Sequence, residues 1–424
     1  MNLFVPLPED FAVRRADLTL GLRSASLFYQ ELAVPGIGGA WCTRHFSWPV
    51  AGISLSRESD CAGIRPMTIA HAVEALANKA EWSCTPESKR TVDLAVLGKR
   101  AFAREPDEWR YKRLRERECY VQATYRQTVT RSLTEDIGLG FTRGSGRFNA
   151  MELSEAGQDL AEAFLDSSEQ KGMGMGTPSL RHNLLKWIDG CFDPGGYIAD
   201  IRKRMGYRKA TKAEKTIVRE RLLSLVPPSH VAAGYDAKRR IRLAQCLDKV
   251  ARRIGNWDDV PELLVELRIH GGERRAEEIE TAMRFDEMKM AAVGFLARIA
   301  ELVDRAGNRI MCTATVHDKK SMALCSVLHR RARAYLERPD LTRHRAADAF
   351  AISCGEDVSA VAEFIVRRDG RILQASGGSI WRGPVFRADF AGIQGGDADD
   401  RESMRKGRPQ RIFQFLDLWT DCNG

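Results

Sequence analysis

Gln122, Arg126, Arg131, Arg143 and Arg147 fall within a short stretch that also carries Gly138, Gly140, Gly144 and Gly146. A guanidinium donates two parallel hydrogen bonds to a phosphate or to the acceptor pair of guanine, and a glutamine amide matches the edge of adenine. Closely spaced glycines let a backbone turn sharply and approach a ligand. The chemistry these residues predict is grip on a polyanion. Arg126 and Arg131 are five apart, so on a helix they point in different directions and only part of one face can touch a ligand. Arg239 and Arg240, in the run Lys238–Arg242, extend the same candidate binding set. Two further basic runs reach from Arg202 to Lys215 and from Arg330 to Arg345. Such runs are ordinarily solvated helix faces laced with ion pairs, and several in one chain raise the prospect of a shared polyanion surface.

Residues for bond-making chemistry are sparse. No Walker loop, dinucleotide fingerprint, H-E-x-x-H or G-x-S-x-G occurs. The ten cysteines stand singly, without the C-x-x-C spacing of a zinc or redox site. His317-Asp318-Lys319 resembles the His-x-Lys of phospholipase-D-like nucleases, but the downstream Asp and Gly-Ser are missing. Glu169-Gln170-Lys171, with Asp166 upstream, offers the Glu-x-Lys fragment of a metal-dependent nuclease. It falls at a helix end and linker, where carboxylates are not held rigidly enough for Mg²⁺. No catalytic residue, metal or cofactor is expected.

The elements that must position the arginines follow from periodicity. Ile69, Val73, Leu76 and Ala80 make one apolar face and predict a helix over 67–80. The apolar and aromatic segment Trp41–Leu55 predicts a short strand or buried loop. A polar helix over Tyr120–Leu133 leads through Ile137–Gly140 into Phe141-Thr142-Arg143, a Gly-Ser-Gly tip and Arg147-Phe148-Asn149. Met151 and Leu153 alternate with polar neighbours as a half-buried strand does. Ser154 then opens a helix to about Leu165. Residues 167–178, with glycine at alternate positions, read as a linker. Beyond it the pattern is helical over 236–254, 261–268 and 273–306. The last of these repeats Phe285, Met288, Ala292, Phe295, Ile299 and Leu302 at threes and fours, with Gly307 as its cap. A strand over 309–316 and a helix over 320–336 follow. Residues 361–376 fit either a hairpin turning at Asp369-Gly370 or a helix over 358–368 capped by Gly370.

Helix, link, hairpin with a basic glycine-rich tip, then helix: this order resembles the winged-helix family. Leu153-Ser154-Glu155-Ala156-Gly157 is similar to the Leu-Thr-Glu-Ala-Gly phrase that follows the wing in bacterial members of the MarR type. The likeness covers residues 110–166, about an eighth of the chain. It implies a helix for the major groove and a wing for the backbone or minor groove, with double-stranded DNA as the partner. The long charged stretch from Trp82 to Arg110 departs from the two short helices such members place before the recognition helix.

The 424 residues exceed one typical core. The sequence divides into 1–166, bearing the winged-helix-like module, the linker 167–178, a helical domain over 179–306 and an α+β region over 307–424. The fold class is mainly α with small β elements. A 44% apolar and 29% charged composition is that of a globular protein, and the net charge of +9 favours polyanions. The first ten residues lack a signal peptide's pattern and no apolar run is long enough to span a bilayer. Reduced thiols and a cytoplasmic place are therefore expected. The resulting expectation is a non-enzymatic DNA-binding or scaffold subunit of a bacterial multi-protein system, with anti-phage defence or a mobile element as its setting. Its long helices would dock a protein partner or a second copy. The rivals are a nuclease with an unfamiliar site and a protein-interaction scaffold.

Overall fold

The computed structural model describes residues 20–58, 61, 63–86, 96–121, 124–144, 147–167, 179–225, 237–250, 260–384, 386 and 410–424. Among these residues the chain is mainly α-helical with two small antiparallel sheets, the class its periodicities predict. It divides into two compact units by a different partition from the four segments above. The larger holds residues 30–279 and 410–424, the smaller residues 20–29 and 280–386.

The chain runs through α1 (Arg23–Ala33), α2 (Arg44–Leu55), α3 (Pro66–Ser83), α4 (Lys99–Arg104), α5 (Tyr111–Leu114) and α6 (Tyr125–Leu133). Strands β1 (Thr142–Arg143) and β2 (Glu152–Leu153) follow, then α7 (Glu155–Leu165), α8 (Leu180–Ile188), α9 (Ile198–Met205) and α10 (Lys212–Leu223). Next come α11 (Ala237–Val250), α12 (Val260–Gly271) and the long α13 (Glu273–Arg305). α1 and α13 each give residues to both units.

The segment expected as a strand or buried loop is instead α2. Phe46, Trp48, Val50 and Ile53 point to different sides of it and all are buried. A helix covered on every side loses the polar stripe that betrays its period, and its aromatic and β-branched residues then imitate a strand. α2 crosses α3 closely: a Cβ on Gly52 would overlap the backbone of Ala70. Trp48 Nε1 donates to the Met205 carbonyl at 3.1 Å, tying α2 to the end of α9. Beneath lies a core that includes Trp41, Trp82, Trp109, Tyr111, Phe164 and Trp187.

The charges buried in this unit include two groups beside its aromatic core. Arg44 and Glu214 meet at 3.2 Å with both side chains wholly covered. Ser47 donates to Glu214 at 2.6 Å, and the Arg44 guanidinium lies 4.6 Å from the Phe164 ring centre. Glu214 also closes a capping box with Thr211 that starts α10. Burial pulls Arg44 down and Glu214 up in pKa, and each partner opposes the other's shift. The second group is Lys79, which donates to the Glu105 carbonyl at 2.6 Å and to that of Glu108, 4.9 Å from the Trp109 ring centre.

The smaller unit continues with β3 (Arg309–Met311), α14 (Ala314–His317), α15 (Lys319–Leu336), α16 (Arg345–Ile352), α17 (Val358–Asp369), β4 (Leu373–Ser376) and β5 (Ser379–Arg382). β5 lies centrally, antiparallel to both β3 and β4, with Ile310 opposite Ile380 and Ala375 opposite Ile380 on its other side. Of the two readings of 361–376, the helix is the one formed. Gly370 at φ +60° ends α17, and the β4–β5 hairpin turns later, at Gly377-Gly378. Inside this unit Tyr29 and Tyr335 share a 2.7 Å hydrogen bond, and Tyr335 donates to Asp348 at 2.9 Å. The last helix, α18 (Gln410–Asn423), belongs to the larger unit, where its Asp421 carboxylate accepts the Thr43 amide at 2.8 Å.

Candidate nucleic-acid interface

α6 begins at Thr124, whose hydroxyl accepts the Gln127 amide. A second cap comes from another helix. The buried Glu74 carboxylate, on α3, accepts the amides of Tyr125 and Arg126 at 2.7 and 2.9 Å and the Tyr120 hydroxyl at 2.9 Å. Negative charge at a helix N-terminus satisfies the first amides and the positive end of the dipole. Burial still raises Glu74 to about 7 against the pull of these donors. One turn earlier on α3, burial lowers His71 to about 4, and Arg126 and Arg117 act in the same direction. The flank of α6 is held as tightly. Gly39 donates to the Thr128 carbonyl at 3.0 Å, and a Cβ on Gly38, which sits at φ +54°, would strike the Ser132 hydroxyl.

The hairpin after α6 is short. Thr142 pairs with Leu153 and Arg143 with Glu152. Its near end is fixed at the end of α6, where the Glu135 amide donates to the Thr142 carbonyl at 3.1 Å. Its far arm reaches the start of α6, where the Phe148 ring centre lies 5.0 Å from the Arg126 guanidinium. The phrase Leu153–Gly157 now has a physical reading. Leu153 is buried in β2; Ser154 donates to the Gly140 carbonyl at 2.7 Å and accepts the Gly157 amide at 3.2 Å, capping α7. Gly157 is required because a Cβ there would enter the Phe141 carbonyl oxygen.

These elements place the candidate arginines unequally. Arg131 and Arg147 are exposed, and among the described residues neither meets a carboxylate. Arg143 is exposed with its Nε 3.2 Å from Glu135. Arg126 is not a surface residue: it is 6% exposed, its guanidinium against the Phe148 ring, and burial lowers its pKa while the Glu74 charge opposes the shift. Arg240 is a second correction. It is fully buried, donating to the carbonyls of Leu222, Pro35 and Ser224 at 2.8, 3.1 and 3.1 Å, so its guanidinium ties the end of α10 to the Pro35 segment and cannot reach a phosphate. Arg239 is half-buried and pairs with Glu278 at 3.1 Å. Gln122 lies outside the described residues, as do Glu169, Gln170 and Lys171 and residues 168–178 of the expected linker.

The other basic runs are partly neutralised from within. Arg202 pairs with Glu81, Arg204 with Asp200, Arg331 with Glu287 and Arg338 with Glu280, while Lys203, Arg208, Arg330 and Arg345 remain exposed. In His317-Asp318-Lys319 the carboxylate has a structural task. Asp318 caps α15 through the Ser321 amide and accepts Nη2 and Nε of Arg298 at 2.7 and 2.9 Å, which holds it well below the usual carboxylate range. Among the described residues no three His, Cys, Asp or Glu side chains gather as a metal site would need, and no helix is long and apolar enough to cross a membrane.

Two residues lie outside the candidate binding set read from the sequence. Gln127, exposed and four before Arg131, shares its face of α6, a relation that i, i+4 spacing alone would reveal. Glu74 left no signal, because a carboxylate that caps another helix is specified only by the tertiary fold. Comparison of the chain with family models, with curated proteins and with solved structures finds no match.

Proposed function

We propose that this chain is a non-enzymatic subunit that binds duplex DNA through the exposed face of α6 and the β1–β2 hairpin. The observation that carries the reading is the pair Arg131 and Arg147, left in solvent without carboxylates on elements whose undersides are fixed by buried contacts. Nine residues of α6 span about 13 Å at 1.5 Å each, a length that lies readily along a major groove about 12 Å wide. Gln127 and Arg131 are then the side chains for base edges, and Arg147 with Arg143 serves the backbone. The order of α6, hairpin and capped α7 matches what the winged-helix resemblance implies and supports the same reading. A bacterial, cytoplasmic assembly for anti-phage defence or element mobility is the setting that suits a large DNA-binding chain with no visible catalytic motif.

The test is duplex binding followed by fluorescence anisotropy over a series of salt concentrations. Affinity falls steeply with salt, and Arg131→Ala with Arg147→Ala weakens binding and reduces the log–log slope by about 2. Affinity that is flat across ionic strength, or a double variant that binds as the parent does, overturns the reading.

One observation favours protein docking instead. A cleft of about 480 Å³ beside the hairpin is lined by Glu135, Glu155, Asp159 and Glu220, with Arg143 and Arg221 as its cations. Its carboxylates outnumber its arginines, which suits a basic partner segment. Under that reading a labelled lysine-rich peptide binds the parent chain and is lost on Glu155→Lys with Asp159→Lys, while Arg131→Ala leaves it unchanged.

A further inference from the structure

A separate cavity of about 300 Å³ lies in the larger unit among α3, α8, α9 and the turn Pro194–Tyr197. Its floor is apolar and well ordered by packing: Leu76, Leu184, Trp187 and Met205 are each no more than 2% exposed. Trp187 cannot turn to fill the space, because its indole nitrogen donates to the Trp109 carbonyl at 2.8 Å. The backbone at Met205 is held as well, its carbonyl taken by Trp48. The mouth is aromatic, with the Phe192 and Tyr197 rings 5.4 Å apart, and Tyr197 stands 58% exposed although it belongs to the lining. An apolar floor, a few polar groups and a large aromatic kept at the entrance are the features of small-molecule sites, whose volumes run from roughly 300 Å³ upward. The size admits a body of one or two rings.

The charges around the cavity select the ligand's other end. His182, Lys186 and Arg204 line it against one carboxylate, Asp200, which is engaged by Arg204 at 3.1 Å. Asp189, just outside, accepts the Cys191 thiol at 3.2 Å. Lys186 and His182, both exposed on α8, therefore face the mouth as surplus cationic or hydrogen-bonding groups.

We propose that this cavity binds a small carboxylate with a flat apolar body, the rings seated on Leu184 and Trp187 and the carboxylate at Lys186. The site is independent of the DNA-binding reading, and a failure of either leaves the other standing.

The experiment titrates the full chain by calorimetry with 2-naphthoate, with neutral 2-naphthylmethanol and with 2-naphthylmethylammonium. The carboxylate binds one to one and about tenfold or more tighter than the alcohol, and the ammonium ion binds most weakly. Lys186→Glu, an exposed change that leaves the fold intact, abolishes the preference for the carboxylate. Leu184→Trp, which fills the floor, removes binding of all three, and its circular dichroism and thermal transition show whether it has folded. Absence of saturable binding to the parent chain, equal affinity for the three probes, or binding that survives Lys186→Glu with its preference unchanged overturns the proposal. A folded Leu184→Trp variant that still binds does so too, because the rings would then lie elsewhere.

Discussion

Glu74 and His71 are neighbours on one face of α3, three residues apart, and burial shifts them in opposite directions. Glu74 rises from 4.5 to about 7, so the folded state holds its proton more firmly than the unfolded chain does. Its contribution to stability is complete below pH 4.5 and is lost as pH rises through 7. His71 falls from 6.5 to about 4, so its contribution is complete above pH 6.5 and is lost as pH drops through 4. Each shift corresponds to about 3 kcal/mol at 1.36 kcal/mol per unit, and between pH 4.5 and 6.5 the two nearly cancel. Removing one exposes the other. The unfolding free energy of Glu74→Gln, measured by urea titration and taken relative to the parent chain, should climb by about 3 kcal/mol from pH 4.5 to 7. That of His71→Gln, taken the same way, should fall by about 3 kcal/mol from pH 4 to 6.5. Differences that stay level within about 1 kcal/mol, or that slope in the same direction, would refute the account of how the start of α6 is held.

Three further outcomes follow from buried contacts. Arg240→Met leaves carbonyls of Pro35, Leu222 and Ser224 without their donor and should cost about 3–4 kcal/mol in urea unfolding, with duplex affinity per folded molecule unchanged. Arg44→Met strands Glu214 in the interior and should cost about 3–5 kcal/mol, much of it recovered by adding Glu214→Gln; no recovery would mean that the pair is not the unit the geometry shows. Gly157→Ala should cost about 1–3 kcal/mol, because α7 must move off the Phe141 carbonyl, and a neutral result in thermal unfolding would contradict that close approach.

What the sequence revealed depended on how much each residue's neighbours in the chain decide. α13, expected over 273–306, runs Glu273–Arg305, and α15, expected over 320–336, runs Lys319–Leu336, because a long amphipathic stripe between strong end signals leaves little alternative. Ser154 as the start of α7 was legible for the same local reason. The strand expected over 309–316 shortens to Arg309–Met311, and Ala314–His317 turns helical where Cys312 and Thr313 leave the sheet. The arginines show the limit most clearly. Arg126 and Arg131 are chemically alike and lie on the same helix, yet one is enclosed by Phe148 and the other faces water. Spacing says they diverge, but which of them turns inward is decided by α3 and the hairpin, far along the chain. Arg240 carries the same lesson, since backbone carbonyls from the end of α10 and from the distant Pro35 have no sequence signature at all.

The stacking of Phe148 on Arg126 has a mechanical consequence. The hairpin is held to both ends of one helix, by the Glu135–Thr142 hydrogen bond and by Phe148 against Arg126, so the backbone positions from which Arg131 and Arg147 project belong to the fold. On the proposed DNA-binding reading the pair then acts as a calliper, and a groove of matching width is met with little further ordering of the backbone.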